Sequence, residues 1–349
     1  MLKKYQAELD VYSGIAILFV VLLHSNAYYL VNVLKLNSYI KGGFLLNIID
    51  KIVHISVPMF IFIAGCKYMM NNQNETYREY FKKKMLNVFK PFFIVSFFYL
   101  SYHWIDVFFK RLMNTGVYDV QYVAEGFAAG FIRMFIGYNF AYQFWYIPMY
   151  LLVCLTYPFF RKYLKNTSLR LVFFIGLAIV WEVIVLMRIP FLSNNPYPLA
   201  FIYYFFIYEI GCLFYSFKLS QKCPNNIILL YIVMLIIVCT FTKPVYNRLI
   251  YDLVFVPAAV AAYYYIALWI KENRVLMDLG RHSFYIYIFH EPLVLSNLSR
   301  QLLRRGLYKS YFTAVMLAVI SIVISIIVYK LISISSLKKD ILAGRQQNF

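Results

Sequence analysis

The sequence predicts an all-α integral membrane protein, a polytopic bundle of about ten transmembrane helices around a polar cavity. Three observations carry this expectation. Of 349 residues, 62% are hydrophobic and only 14% are charged, too apolar for an ordinary soluble domain, so lipid is the solvent for most of the chain. Apolar segments of about 20 residues recur, separated by short polar breaks. Isolated histidines and carboxylates sit inside these segments, where lipid contact is costly and a protein, water or substrate neighbour is favoured.

The segments lie at roughly 11–31, 48–70, 86–105, 143–160, 169–188, 200–217, 226–242, 249–270, 282–299 and 311–333. The first carries His24 about two-thirds of the way along the apolar run from Asp10 to Asn26. Met1 to Lys4 are basic, but Glu8 and Asp10 follow and no small-residue cleavage site appears, so the segment reads as a retained anchor. The second holds His54, four residues before Pro58, and the third runs on from Lys82, Lys83, Lys84 and Lys90. The longest stretch between spans, about 106–142, contains Gly116, Gly126, Gly130 and Gly137; it reads as an amphipathic helix on the outer face or a lid. Trp145, Tyr146 and Pro148 open the fourth segment, while Glu182 and Glu209 mark the fifth and sixth. The ninth carries His290 and Glu291 just ahead of Pro292. Proline within a span is tolerated where neighbouring helices shelter the freed backbone groups. No soluble domain and no internal repeat is evident, so residues 1–349 form one membrane-embedded domain with a short cytoplasmic tail from about 334.

The net charge of +19 is spread between apolar segments rather than gathered on one soluble face, which argues against nucleic acid as a partner and for membrane lipids. An even number of spans places both termini on one side. With the termini inside, inner segments hold about 20 Lys and Arg and outer ones about 13, a bias that favours cytoplasmic ends in a plasma membrane. The loop with Arg300, Arg304, Arg305 and Lys309 runs against it. Four of the five cysteines (Cys66, Cys154, Cys212 and Cys239, but not Cys223) fall inside apolar segments without paired spacing, as packed thiols do, and no metal is implied.

At 100° per residue, Asp10, Ser13 and His24 fall within about 40° of one helix face, with His24 about 16 Å beyond Ser13. His54 and Glu182 are expected at a depth similar to His24, with Glu209, His290 and Glu291 nearer the middle. Each has a structural alternative. Trp145 and Tyr146 suit an interfacial belt, His54 a helix-packing donor, Glu182 and Glu209 partners for basic residues, and Asp10 the positive end of a helix dipole. Taken together, histidines and carboxylates on several helices need a shared polar interior. That suits an enzyme or a transporter, and not a purely structural anchor.

The run E-L-D-V-Y-S-G-I-A-I-L-F-V-V-L-L-H-S from Glu8 to Ser25 resembles the first span of the acyltransferase-3 family of integral membrane O-acyltransferases. In the same order follow S-V-P-M-F-I-F-I-A-G (Ser56 to Gly65), a lysine-rich lead-in to Pro91, F-W-Y-I-P (Phe144 to Pro148) and F-Y-I-Y-I-F-H-E-P-L (Phe284 to Leu293). Each motif is largely apolar and weak alone; their order and spacing over nearly the whole chain are more specific.

The resemblance implies transfer of an acyl group, commonly acetyl from cytoplasmic acetyl-CoA, to hydroxyls of bacterial cell-envelope carbohydrates or lipid-linked glycan precursors. No permanently bound cofactor is implied; acyl-CoA is the donor substrate. His24 matches the family histidine of the first span. It would act as general base on a sugar hydroxyl or carry the acyl group itself. His290 or Glu291 would line the cavity and orient His24. Lys82, Lys83, Lys84 and Lys90 would draw in the CoA phosphates, and Trp145 and Tyr146 would stack on a sugar ring, with His54 and Glu182 on the acceptor. Two departures stand out. Ser13 occupies the place where the family has arginine, eleven residues before the histidine, and Met85 and Val88 stand where an arginine pair is common. A transporter or export factor for a glycan or lipid-linked sugar, and an envelope scaffold with a degenerate site, are the other readings of the same polar interior.

Overall fold

The computed structural model describes residues 7–36, 43–71, 75–115, 128–130, 132, 142–187, 199–217, 224–240 and 248–334. Among these residues the regular elements are all helical. In chain order they are α1 (Ala7–Asn32), α2 (Phe44–Val53), α3 (Ser56–Asn71), α4 (Tyr77–Lys84) and α5 (Lys90–Thr115). After a short 3-10 turn at Tyr142–Trp145 come α6 (Tyr146–Tyr163), α7 (Thr167–Leu186), α8 (Phe201–Ser216) and α9 (Pro224–Thr240). The chain closes with α10 (Val256–Trp269), α11 (Arg274–Phe289), α12 (Leu295–Arg304) and α13 (Tyr311–Ile334).

Among the described residues every expected apolar segment falls on helix, but only six stretches there are long and apolar enough to cross a membrane. These are Ala7–Asn32, Phe44–Met70, Tyr77–Ile105, Thr167–Leu186, Arg248–Trp269 and Tyr311–Ile334. Phe201–Ser216 and Asn225–Thr240 are apolar but shorter. The expected lid lies largely outside the described residues, as do the tail beyond 334 and Cys223.

Local signals set several boundaries. Thr76 and Glu79 form a reciprocal capping box at the start of α4, and Asn166 and Asn273 cap α7 and α11 by accepting from the amides of Leu169 and Leu276. α1 runs through the centre and packs along α11, α13 and α3. It can approach α11 closely because Gly14 and Gly280 have no Cβ; one added at either would meet the backbone of Leu276 or Asp10. Gly65 and Gly211 do the same where α3 crosses α8. Small residues at such crossings let helices approach where lipid gives no hydrophobic drive to associate. Cys66 and Cys212 tighten the second crossing, each thiol donating to the carbonyl of the opposing glycine at 3.3 and 3.5 Å. All four described cysteines are free and buried.

Candidate functional site

The helix that begins as α11 breaks at Glu291, whose φ of −134° and ψ of 143° are extended. The sequence dictates this, because Pro292 disfavours helical geometry in the residue before it. The break leaves His290 fully buried at the end of α11, facing His24 of α1 with ring centroids 5.2 Å apart. His290 Nδ1 lies 3.0 and 2.8 Å from the carbonyl oxygens of Ile286 and Tyr287. Carbonyls only accept, so Nδ1 carries the proton and Nε2 keeps its lone pair. Among the described residues Nε2 has no hydrogen-bond partner.

Side chains from other elements hold the broken backbone. Gln143 donates to the Glu291 carbonyl at 2.5 Å, and Tyr287 donates in turn to the Gln143 carbonyl. Ser321 of α13 reaches the His290 carbonyl at 3.4 Å, and Tyr99 of α5 reaches that of Ile288 at 3.4 Å. The Glu291 carboxylate is buried, accepts from Ser296, and keeps Oε1 without a partner among the described residues. Ser296 is also bonded to Tyr28, which sits one turn after His24 on α1. Beyond them Tyr308, in the turn before α13, donates to the Ser25 carbonyl at 3.2 Å; burial pushes its hydroxyl up to about 12, so it stays protonated at neutral pH.

A cavity of about 280 Å³ opens toward the end of the bundle where α1 begins, with Asp10, Ser13, Lys67, Tyr146, Arg281 and Tyr287 among its walls. Arg281 Nε lies 3.2 Å from the Asp10 carboxylate. Ser13 faces this cavity and bonds the Leu9 carbonyl of its own helix at 2.9 Å. Tyr287 connects the two regions: it lines the cavity, and its ring centroid is 5.9 Å from that of His290.

The remaining expected site residues are more dispersed. His54 ends α2, within electrostatic reach of His24, with Nδ1 2.7 Å from the Asp50 carboxylate and its side chain 46% exposed. Glu182 is fully buried and meets Arg248 at 2.6 Å, which also approaches Asp252 at 3.7 Å. Glu209 is held by Arg170 and Tyr157. Both glutamates therefore pair with arginine. Lys82 and Lys83 are exposed, and Lys83 pairs with Glu75. Lys84 turns inward, donating to the Tyr150 hydroxyl at 2.7 Å, and Tyr150 is itself a cavity wall. Lys90 is half-buried at the start of α5. Tyr146 is buried between the rings of Phe60, Tyr150 and Tyr287, and Trp145 leans on Tyr204. Lys67, Tyr28, Ser296, Gln143 and Tyr287 escaped the sequence reading. Arg281 counts there only among the roughly 20 inner Lys and Arg that set the topology, and Tyr28 carried a usable signal in its one-turn spacing from His24.

A family model described as an acyltransferase domain matches residues 6–330, nearly the whole chain. The chain belongs to the acyltransferase-3 family. No curated protein and no solved structure gave a match. Family membership points to an acyltransferase, and six helices of spanning length and composition fit a multi-pass membrane protein.

Proposed function

We propose that this acyltransferase moves an acyl group, acetyl foremost, from cytoplasmic acyl-CoA to a hydroxyl of a bacterial cell-envelope carbohydrate or its lipid-linked precursor. Besides the family, the observation that carries the reading is the buried His24–His290 pair, ring centroids 5.2 Å apart, with His290 Nε2 unpartnered among the described residues. A sugar hydroxyl is a poor nucleophile, and an imidazole can take its proton as the oxygen attacks the thioester carbon. In this reading His24 is that base. The C–S bond then breaks, the imidazolium returns its proton to the leaving thiolate, and ester and free thiol result. His290 Nε2 accepts a hydrogen bond from a neighbouring hydroxyl of the acceptor and fixes the line of attack. Glu291, held by Ser296, lies beside the pair in the chain and would help orient it.

The donor's phosphates would sit at the cavity mouth. Lys67 and Arg281 line that cavity and Lys84 reaches its wall, while Lys82, Lys83 and Lys90 add the long-range field that attracts an anion. Arg281 offers the guanidinium fork that Ser13 withholds, from a different helix. Trp145 and Tyr146 would present aromatic faces to the sugar, with His54 and Glu182 on the acceptor side.

The test is turnover of radiolabelled acetyl-CoA by detergent-purified protein with an envelope-glycan fraction, beside His24→Ala. Label reaching glycan only with the wild type supports the reading. Equal labelling by both proteins removes His24 as base. Folded protein that leaves acyl-CoA untouched with every glycan fraction favours glycan export or a scaffold instead.

A further inference from the structure

A second recess of about 280 Å³ lies away from the histidines, where the ends of α3, α6 and α8 meet the start of α7. Its walls include Met69, Arg161, Lys165, Thr167, Ser216 and Phe217. Arg170 also lines it, but Glu209 neutralises that guanidinium. Arg161 and Lys165 have no such partner: among the described residues no carboxylate pairs with either. The Arg161 guanidinium instead rests on the Met69 sulfur, at 2.8 Å, and on the Tyr68 ring, at 5.6 Å to its centroid. A thioether is a weak acceptor, so a group with five N–H donors is left short of oxygen ligands.

The recess is also built in advance. Arg170 Nη1 donates to the Leu164 carbonyl at 3.0 Å and Asn166 caps α7, which together fix the turn that carries Lys165. α7 starts on the recess wall at Thr167, so the positive end of its dipole adds to the two cations. At the rim Phe217 is 55% exposed, and Leu169, in the first turn of α7, is 57% exposed. Apolar residues bordering a cationic recess have no use for a free ion, but they match an amphiphile.

We propose that this recess binds the phosphate of an anionic phospholipid headgroup, with Arg161 and Lys165 on the phosphate and Phe217 and Leu169 against the acyl chains. The site is independent of the acyl-transfer reading, because it shares no residue with the histidine cluster or its cavity.

Delipidated full-length protein would be titrated with dioleoyl-phosphatidylglycerol, dioleoyl-phosphatidylcholine or inorganic phosphate, with bound adducts counted by native mass spectrometry. The wild type should bind phosphatidylglycerol in preference to the zwitterionic lipid. Arg161→Gln and Lys165→Gln should each weaken that binding about fivefold, and the double variant roughly twenty-five-fold. Lys271→Gln, an exposed lysine that is not part of the recess, should not. Unchanged lipid-free thermal unfolding would establish that the variants are folded. Equal binding of both lipids, or equal loss in Lys271→Gln, would overturn the site. Inorganic phosphate binding as tightly as phosphatidylglycerol would overturn the assignment to lipid.

Discussion

The Arg170–Glu209 pair offers the sharpest stability test. Arg170 Nε lies 3.0 and 2.9 Å from the two carboxylate oxygens and Nη2 lies 2.9 Å from one of them. The side chains are only 7% and 0% exposed, and Tyr157 donates a further hydrogen bond to Glu209. Arg170→Met keeps most of the stem's packing but leaves the carboxylate buried with a single hydroxyl donor. Breaking a buried pair in this way costs about 3–5 kcal/mol, more than a hundredfold in the unfolding constant. Removing both charges with Arg170→Met/Glu209→Gln should recover about 2–3 kcal/mol of that loss, because the amide can still accept from Tyr157 and no charge is stranded. Denaturation by sodium dodecyl sulfate in mixed micelles, followed by tryptophan fluorescence, measures all three proteins. A loss below about 1 kcal/mol in Arg170→Met would mean that the pair behaves as an exposed one, refuting the reasoning. A double variant no more stable than Arg170→Met would place the cost in packing rather than charge.

Three other outcomes are expected. His24→Ala should lower acyl transfer by about 10²–10⁴-fold at unchanged membrane abundance, which initial-rate assays and immunoblotting check together. Arg281→Gln should raise KM for acyl-CoA roughly tenfold or more while leaving kcat nearly constant, since a charge-assisted phosphate contact is worth about 1.5–3 kcal/mol; an unchanged KM would move the donor away from this cavity. Gly65→Ala should destabilise by about 1–3 kcal/mol in the micelle assay, because its Cβ would collide with the Tyr208 carbonyl and force α3 from α8.

The bundle was legible in the sequence because apolar runs of spanning length have few other folds open to them. His24 stood out because a polar ring in such a run demands a reason, and the break at Glu291 was signalled by Pro292. What was hidden is what the third dimension decides. Nothing in spacing couples Arg281 to Asp10, Arg248 to Glu182 or Arg170 to Glu209, since the partners sit on different helices, 39 to 271 residues apart. The lysine run divides for a geometric reason. Three successive helical residues point 100° apart, so Lys82, Lys83 and Lys84 cannot share a face, and only Lys84 turns toward the cavity.

The break at Glu291 also separates a structural account of the histidines from a functional one. An interrupted helix inside an apolar bundle frees backbone groups that lipid cannot satisfy. Here hydrogen bonds from α5, α13 and the turn before α6 converge on the segment to make that good. A histidine serving only to pack helices would spend its second nitrogen on the same backbone or on a neighbour. His290 instead uses Nδ1 twice on its own helix and leaves Nε2 unpartnered among the described residues, facing a second imidazole. A buried acceptor left open costs about 1–3 kcal/mol. In a segment where surrounding helices meet so many other backbone demands, that cost is best explained by a donor that arrives with the substrate.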